Sequence, residues 1–252
     1  MFCVMIMIMR IDRLLCEMNI GTRSQVKDLL KKGLVTVNGR VVKKGDVKVD
    51  EKKDRIICQG KEYTYRPFFY YMMNKPAGVV TATKDEKDST VLDLFCKQMK
   101  QTAGGLEGIP VKDIFPVGRL DKDTEGLLLL TNDGALAHRL LSPGRHVPKK
   151  YDVRTDLPLG AKEAKLLEEG VEIGEKEPTR PAVLERIGDR EFFLTITEGK
   201  FHQVKRMFGA VGLKVLSLKR VSMGSLLLDK NLPPGQVREL SKEEVLTLCS
   251  QI

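Results

Sequence analysis

The fold of this chain is decided by the stretch Gly118-Arg119-Leu120-Asp121-Lys122-Asp123-Thr124-Glu125-Gly126-Leu127-Leu128-Leu129-Leu130-Thr131-Asn132-Asp133-Gly134, in which a charged loop leads directly into an apolar run. The run Phe115-Pro116-Val117 precedes the loop, and Gly and Asn-Asp-Gly bound the apolar segments. This pattern predicts a strand, a loop, a buried strand and a turn. Asp121 follows Leu120 at the mouth of the strand pair, where a carboxylate is partly desolvated. We therefore expect chemistry at Asp121.

Two simpler interpretations apply to the acids of this loop. Asp121, Asp123, Glu125 and Gly126 fall at positions one, three, five and six of an EF-hand-like calcium loop. Position twelve requires a bidentate Glu but is Asn132 here, and strand signals replace the flanking helices. A solvated charged turn accounts well for Asp123 and Glu125, but less well for Asp121. We therefore predict no metal site.

The pattern Gly-Arg-Leu-Asp-x-Asp-Thr-x-Gly-Leu resembles the signature of the pseudouridine synthases that act on ribosomal RNA. The stretches 179–184 and 198–208 are similar to the members that modify small-subunit RNA, and Lys75-Pro76-x-Gly also resembles the family. The resemblance covers nearly the whole chain from Met9.

The resemblance implies a role for each of several residues. Asp121 is expected to be the nucleophile or essential carboxylate, Lys205 its ion-pair partner, and Tyr151 the residue that stacks on the reacting base. Leu218 is expected to pack the floor of the pocket. The target uridine must leave its stack, and Arg119 is expected to fill the vacated place.

The helix that carries Lys205 is predicted to start near Phe201 and to stop at Gly212. Phe201, Val204, Phe208 and Val211 recur at helical spacing and are expected to form its buried face. Lys205 borders that face, so we expect its ammonium group to be partly buried. A buried ammonium group needs a partner.

The positive charge is concentrated near the start of the chain. Of the net charge of +9, residues 1–66 carry +7, from 15 Lys and Arg against 8 Asp and Glu. This asymmetry indicates an appended module that binds a polyanion, although a merely soluble basic surface would look similar. Two short helices are predicted here, and Thr22 with Gln25 would start the second as a capping box. Together with the basic Asn38-Gly39 hairpin they resemble the S4 RNA-binding domain.

The predicted RNA contacts are basic residues in both parts of the chain. In the S4-like part they are Arg10, Arg13, Arg23, Lys27, Lys31, Lys32 and Arg40. Elsewhere they are Arg119, Lys149, Lys150, Lys200 and Arg206. Such residues contact phosphates and position RNA without reading its sequence.

The cysteines and histidines indicate the compartment and the absence of a metal. Five cysteines are odd in number, scattered and never spaced as Cys-x-x-Cys, which favours a reduced compartment. The three histidines lack metal-ligand spacing. The apolar start from Phe2 to Met9 is too short to span a membrane, and we interpret it as a leading strand or a loose extension. We therefore expect a cytoplasmic monomer without metal or membrane partner.

We predict an α+β protein in two parts. Residues 1–66 would form a small S4-like RNA-binding domain, and residues 67–252 a catalytic domain with a mainly antiparallel sheet. The resemblance implies isomerisation of a uridine to pseudouridine in small-subunit (16S) ribosomal RNA, without a cofactor, on free RNA or an assembling subunit. The alternatives are a synthase for large-subunit (23S) RNA and a non-catalytic RNA-binding ribosome-assembly factor.

Overall fold

A computed structural model describes residues 8–51, 53–102 and 108–250 of the chain. Two units can be distinguished: Met1–Phe69 with Met99–Asp113, and Tyr70–Gln98 with Ile114–Ile252. The first unit extends to Phe69 and also includes Met99–Asp113, so it does not coincide with residues 1–66. The division at residue 66 stays a prediction. The start of the apolar N-terminal segment, with Cys3, lies outside the described residues.

The first unit combines two helices with short antiparallel strands. Its helices are α1 (Ile11–Glu17) and α2 (Arg23–Lys31). Its strands are β1 (Ile8–Arg10), β2 (Val35–Val37), β3 (Arg40–Val41), β4 (Lys48–Asp50), β5 (Ile56–Cys58) and β6 (Lys61–Tyr63). β1 pairs with β4, and the other four strands form a sheet in the order β3-β2-β5-β6.

The local signals in this unit are confirmed. The Thr22 side chain accepts a hydrogen bond from the Gln25 backbone N–H, and the Gln25 side chain accepts one from the Thr22 N–H, so the predicted capping box starts α2. Asn38 and Gly39 have φ values of 51° and 79°, the positive pair that a type I′ hairpin requires. The helices and the sheet bury one apolar cluster, which includes Ile11, Leu14, Leu15, Val26, Leu30 and Val35.

The second unit contains a nine-stranded sheet with helices packed against it. Its strands are β7 (Tyr70–Lys75), β8 (Phe115–Pro116), β9 (Glu125–Thr131), β10 (Lys149–Thr155), β11 (Val183–Arg186), β12 (Glu191–Ile196), β13 (Val215–Met223), β14 (Leu226–Leu227) and β15 (Val237–Glu239). The helices that begin in this unit are α3 (Val91–Gln101), α4 (Gly134–Leu141), α5 (Ala161–Glu169), α6 (Gln203–Ala210) and α7 (Lys242–Ser250). A short 3-10 turn at Pro143–Arg145 also belongs to this unit, whereas the one at Val111–Asp113 belongs to the first.

The strand order in the large sheet is β11-β12-β10-β13-β9-β7-β15, with β14 beside β13 and β8 beside β9. All of these pairings are antiparallel except that of β13 with β9. The α+β class with a mainly antiparallel sheet is therefore confirmed.

Strand β9, which follows the charged loop, is buried on both faces. The side chains from Leu127 to Leu130 are all fully buried. Leu127 and Leu129 belong to a core cluster with residues of α4. The uninterrupted apolar run thus corresponds to a central strand. A strand that is covered on both faces needs apolar side chains at successive positions.

Gly126 allows β9 to approach β13 closely. Its φ is +101°, and a Cβ atom there would lie 2.3 Å from the Arg220 carbonyl oxygen. The Arg220 guanidinium, itself buried, donates from Nε to the Leu127 carbonyl at 2.8 Å. The two strands pair directly only at Lys219–Glu125 and Arg220–Gly126, so this side chain extends the contact between them.

One face of the sheet lies under α6. Tyr151 is opposite Arg220 on β13, and Val153 is opposite both Phe192 on β12 and Leu218 on β13. Residues paired in this way point to the same face. Phe208 of α6 packs against Phe192 with ring centroids 6.2 Å apart. Tyr151 and Leu218 therefore share the face that α6 covers.

Candidate active site

Asp121 lies in the loop between β8 and β9 and contacts two side chains near the start of α6. Its Oδ2 is 3.2 Å from Lys205 Nζ, and its Oδ1 is 3.3 Å from His202 Nε2. The carboxylate is 25% exposed, so it is partly desolvated but still reachable from solvent. The structure thus brings Asp121 and Lys205 together at the spacing of an ion pair.

Lys205 is shared between two carboxylates. Its Nζ donates to Asp123 Oδ1 at 2.5 Å as well as contacting Asp121. Burial lowers the pKa of Lys205, but the hydrogen bonds to Asp123 and Asp121 outweigh burial, so its pKa is above the usual value. The same bond to Lys205 lowers the pKa of Asp123. Asp123 is 73% exposed and was expected to belong to the solvated turn, so its bond to Lys205 was not foreseen.

The ammonium group of Lys75 is hydrogen-bonded to the backbone of the Asp121 loop. This lysine is fully buried at the end of β7, and its ammonium group donates to backbone carbonyls at four positions: Pro76 at 3.1 Å, Asp121 at 3.0 Å, Lys122 at 3.3 Å and Thr124 at 2.8 Å. Burial lowers the pKa of Lys75 to about 8, while the nearby Asp123 and Asp121 oppose that effect. The Lys75-Pro76 motif was noted in the sequence, but its place under the loop was not predicted.

The segment that follows Lys75 fixes the rest of the loop. Thr81 donates its hydroxyl to the Leu120 carbonyl at 2.7 Å and accepts from the Leu120 N–H at 3.2 Å. Gly78 donates its N–H to the Lys122 carbonyl at 2.7 Å. Lys122 pairs with Asp88 at 2.7 Å. The position of Asp121 is therefore set mainly by hydrogen bonds to the backbone groups of its loop.

The start of α6 differs from the prediction. The helix begins at Gln203, after His202, whose φ of 49° is left-handed. This turn directs Phe201 outward, so Phe201 is 71% exposed and its predicted place on the buried face is wrong. Gln203, Val204, Met207 and Phe208 form the buried face instead. His202, which sequence spacing left without a function, contacts Asp121 because of the same turn.

Tyr151 and Leu218 line the face of the sheet beneath α6. Tyr151 is 8% exposed and Leu218 is 6% exposed. In the described part of the chain the Tyr151 hydroxyl has no hydrogen-bond partner. The hydroxyl is not among the fully buried polar atoms that lack a partner, so the polar end of this tyrosine is reachable from solvent on the face that α6 covers.

The predicted cations of the second unit have different surroundings. Arg119 is exposed, and among the residues that the structure describes it forms no ion pair. Lys150 pairs with Glu185 at 2.8 Å and lies 4.5 Å from the centre of the Phe193 ring. Lys149 donates to the Val147 carbonyl, and burial, followed by the charge of Arg220, lowers its pKa.

Lys200 and Arg206 are bound within the protein. Lys200 Nζ donates to the carbonyls of Glu177 and Pro178 at 2.8 and 2.9 Å. Arg206 pairs with Glu175 at 2.7 Å and also donates to the Ile173 carbonyl. An RNA phosphate would have to compete with these acceptors, so both side chains have a structural role that the sequence did not indicate.

The first unit presents cations of two kinds. Arg10 and Arg13 pair with Asp12 and Glu17, at 2.6 and 2.7 Å. The remaining predicted contacts are exposed and form no ion pair with any described residue; they are Arg23, Lys27, Lys31, Lys32 and Arg40. Three of them, Arg23, Lys27 and Lys31, recur every four residues and so follow one side of α2.

The part of the chain that the structure describes contains neither a metal-binding cluster of acidic, His or Cys side chains nor a membrane-spanning helix. Within residues 8–51, 53–102 and 108–250, no group of three His, Cys, Asp or Glu side chains is arranged to hold a metal ion. No helix in these same ranges is long and apolar enough to cross a membrane.

Comparison with known proteins assigns the class. A family model described as RNA pseudouridylate synthase matches residues 69–210, and the S4 domain matches residues 9–56. This chain belongs to the RNA pseudouridine synthase family and is an isomerase that acts on RNA. The interpretation as a non-catalytic assembly factor is therefore set aside.

Individual relatives extend this similarity over nearly the whole chain. An RNA pseudouridine synthase of Bacillus subtilis, described as uncharacterized, is 45% identical over 94% of this chain and 97% of its own. Ribosomal small subunit pseudouridine synthase A of Vibrio cholerae is 42% identical over 95% of this chain and 99% of its own. A crystal structure of a pseudouridylate synthase, 37% identical, superposes with a TM-score of 0.65 and covers 95% of this chain and 99% of that one.

Proposed function

We propose that this enzyme converts one uridine of small-subunit (16S) ribosomal RNA to pseudouridine, with Asp121 as the reacting carboxylate and no cofactor. The observation that carries the proposal is the Asp121 carboxylate between Lys205 and His202, on a loop held by Lys75. The small-subunit target is supported by the name of the Vibrio cholerae relative. The reaction would take place in the cytoplasm with the enzyme as a monomer.

The chemistry requires a carboxylate rather than an oxidant. Uridine and pseudouridine have the same atoms: the C1′–N1 bond breaks, a C1′–C5 bond forms, and the C5 proton is lost while N1 gains one. A carboxylate can stabilise or trap the electron-poor ribose, as in retaining glycoside hydrolysis. The ammonium group of Lys205, 3.2 Å away, places a positive charge directly beside the carboxylate.

Other residues around the carboxylate would position the substrate. Tyr151 would stack on the reacting base. Its hydroxyl, which has no partner among the described residues, would be available to assist the removal of a proton from the base. Leu218, on the same face, would form the apolar floor. Arg119 is exposed and without an ion-pair partner among the described residues, so it is available to occupy the space left by the flipped uridine.

The deciding experiment maps pseudouridine in ribosomal RNA from cells with and without this gene, and in transcripts treated with the purified protein. We expect one small-subunit site to disappear in the deletion strain and to reappear in the treated small-subunit transcript. A site that instead disappears from the large-subunit RNA would assign the enzyme to that target. Unchanged ribosomal RNA would refute both.

Replacing Lys205 with Met tests the ion pair at Asp121. Met keeps the aliphatic bulk but removes the charge, so we expect kcat to fall roughly 10²-fold while RNA affinity changes little. Since both partners are 25% exposed, the loss of unfolding free energy should stay below the ~3–5 kcal/mol of a fully buried pair. Steady-state kinetics and urea denaturation would measure the two effects.

The matched control for Lys205→Met is Asp123→Asn, which removes the other carboxylate bound to the same ammonium group. Because Asp123 is mostly exposed, we expect the Asp123→Asn enzyme to retain substantial activity. If Asp123→Asn loses as much activity as Lys205→Met, the pair that matters is Lys205–Asp123, and the role given to Asp121 would lose its support.

The exposed cations of α2 are proposed to hold RNA phosphates. Lys27→Ala combined with Lys31→Ala should lower the log–log salt slope of RNA binding by roughly 1.4 to 1.8, that is 0.7 to 0.9 for each contact. The control is Lys162→Ala with Lys165→Ala, two exposed lysines of α5. Affinities titrated from low to moderate salt would give both slopes. Equal slopes for the two double variants would remove α2 from the RNA interface.

A further inference from the structure

Phe201 presents an aromatic ring to solvent beside the candidate active site. The side chain is 71% exposed, and its ring stacks on His202 with centroids 3.8 Å apart and planes 18° apart. His202 Nε2 is in turn 3.3 Å from Asp121 Oδ1. The two stacked rings therefore lead from solvent to the edge of the carboxylate.

The backbone around this ring is fixed by contacts on both sides. Arg206 donates to the Phe201 carbonyl at 3.0 Å and is itself paired with Glu175. Lys200 is bound to the carbonyls of Glu177 and Pro178. The ring is thus exposed on an ordered segment, and binding at its open face would not require that segment to be ordered first.

We propose that the outer face of Phe201 is a stacking platform for a nucleobase next to the target uridine, with His202 supporting the ring from behind. This inference rests on the proposed function, in which a single-stranded segment of RNA reaches Asp121. A base on the outer face is separated from Asp121 by two rings, so it is a neighbour of the reacting uridine. Phe201 is then a substrate-positioning residue.

The chemistry of the site fits RNA better than an apolar partner. Exposed aromatic faces are the groups on which the bases of single-stranded nucleic acids stack, because every base has a π face. Lys200, Lys205 and Arg206 lie within five residues of Phe201 in the chain, but each is bound to an acceptor of the protein, so the exposed ring and not a free cation would supply the contact. Stacking of this kind tolerates any base, so Phe201 would contribute affinity and alignment, not sequence selectivity.

A tryptophan at this position gives a direct readout, because the chain contains no tryptophan. In full-length Phe201→Trp, a 12-nucleotide single-stranded RNA should quench the fluorescence, whereas an abasic oligomer of the same length and charge should not. Leu246→Trp, at a 63% exposed position on α7, is the control and should respond to neither. Equal responses to the base-bearing and abasic oligomers at position 201 would overturn the proposal.

Two further variants separate stacking from apolar bulk. Phe201→Leu should lower kcat/KM on small-subunit ribosomal RNA roughly tenfold, mainly through KM, whereas Phe201→Tyr should stay within about twofold of the parent. A Phe201→Leu enzyme that matches the parent would overturn the proposal. Quenching does not depend on turnover, so base-specific quenching without small-subunit modification would retain the platform and refute the proposed function. Small-subunit modification without base-specific quenching would retain the proposed function and refute the platform.

Discussion

Asp121→Asn is expected to reduce pseudouridine formation at least about 10³-fold while RNA affinity stays within a few fold. Asn has the shape of Asp but cannot act as a nucleophile or carry the negative charge. Lys205 would keep its 2.5 Å bond to Asp123, so its ammonium group would not be left without a carboxylate. We therefore expect the variant to fold normally, which thermal unfolding would check.

The controls for Asp121→Asn are the two neighbouring acids of the same loop. Asp123→Asn and Glu125→Gln should retain substantial activity. Single-turnover assays on small-subunit ribosomal RNA would compare the three variants. Turnover retained by Asp121→Asn would refute the role of this carboxylate, and similar losses in all three variants would favour the calcium interpretation of the loop.

Lys75→Met is expected to reduce both stability and activity. The ammonium group donates to four carbonyls, of which those of Asp121 and Lys122 also accept from Thr124 and Gly78. Leaving the others unsatisfied in a buried site should cost roughly 2–3 kcal/mol of unfolding free energy, even though the desolvation of the ammonium group is relieved. Because three of the four carbonyls, those of Asp121, Lys122 and Thr124, belong to the Asp121 loop, we also expect kcat to fall more than tenfold, since a small misplacement of a reacting group is costly.

Lys122→Met is the matched control, because this exposed lysine lies in the same loop and pairs with Asp88, which is partly exposed. Its effect on unfolding free energy should stay within about 0.5 kcal/mol. Urea denaturation and steady-state kinetics of both variants would test the comparison. If Lys75→Met proves as mild as Lys122→Met, the loop does not depend on the buried ammonium group.

The pH dependence of stability gives a second readout for Lys75. Its pKa in the folded protein is about 8, below the usual 10.5, because it is buried. Between these values the unfolded chain binds a proton that the folded protein lacks, so the contribution of Lys75 to unfolding free energy rises with pH. The stability difference between the parent and Lys75→Met should therefore widen from pH 8 to pH 10. A constant difference over this window would show that the pKa of Lys75 is not lowered.

The sequence by itself determined the elements whose signals are local. The capping box at Thr22 and the Asn38-Gly39 turn are formed by residues adjacent or three apart, so short-range geometry fixes them. The apolar run after Asp121 predicted a buried strand, because four successive leucines can be covered only when both faces are packed. The charged loop before this run singled out Asp121 from adjacent residues as well, because a carboxylate directly after Leu120 lies at the edge of the core.

Only the tertiary structure decided which side chains meet at the site. Lys75 lies 46 residues before Asp121 and Lys205 lies 82 residues after Asp123, and these distances are closed by sheet pairing and by the packing of α6. No local pattern encodes such contacts. The family resemblance supplied the pairing of Lys205 with Asp121, but neither the second carboxylate at Asp123 nor the lysine beneath the loop.

The start of α6 shows why periodicity alone failed there. Helical spacing placed Phe201 on the buried face, but the left-handed His202 breaks the period one residue before the helix begins. The turn moves Phe201 to the surface and brings His202 to Asp121. Charge was equally ambiguous in sequence, because it did not show that Lys200 and Arg206, which we predict to contact RNA phosphates, also have acceptors in the 173–178 segment. Sequence therefore determined the elements and singled out Asp121, whereas packing between distant segments decided the surroundings of that carboxylate.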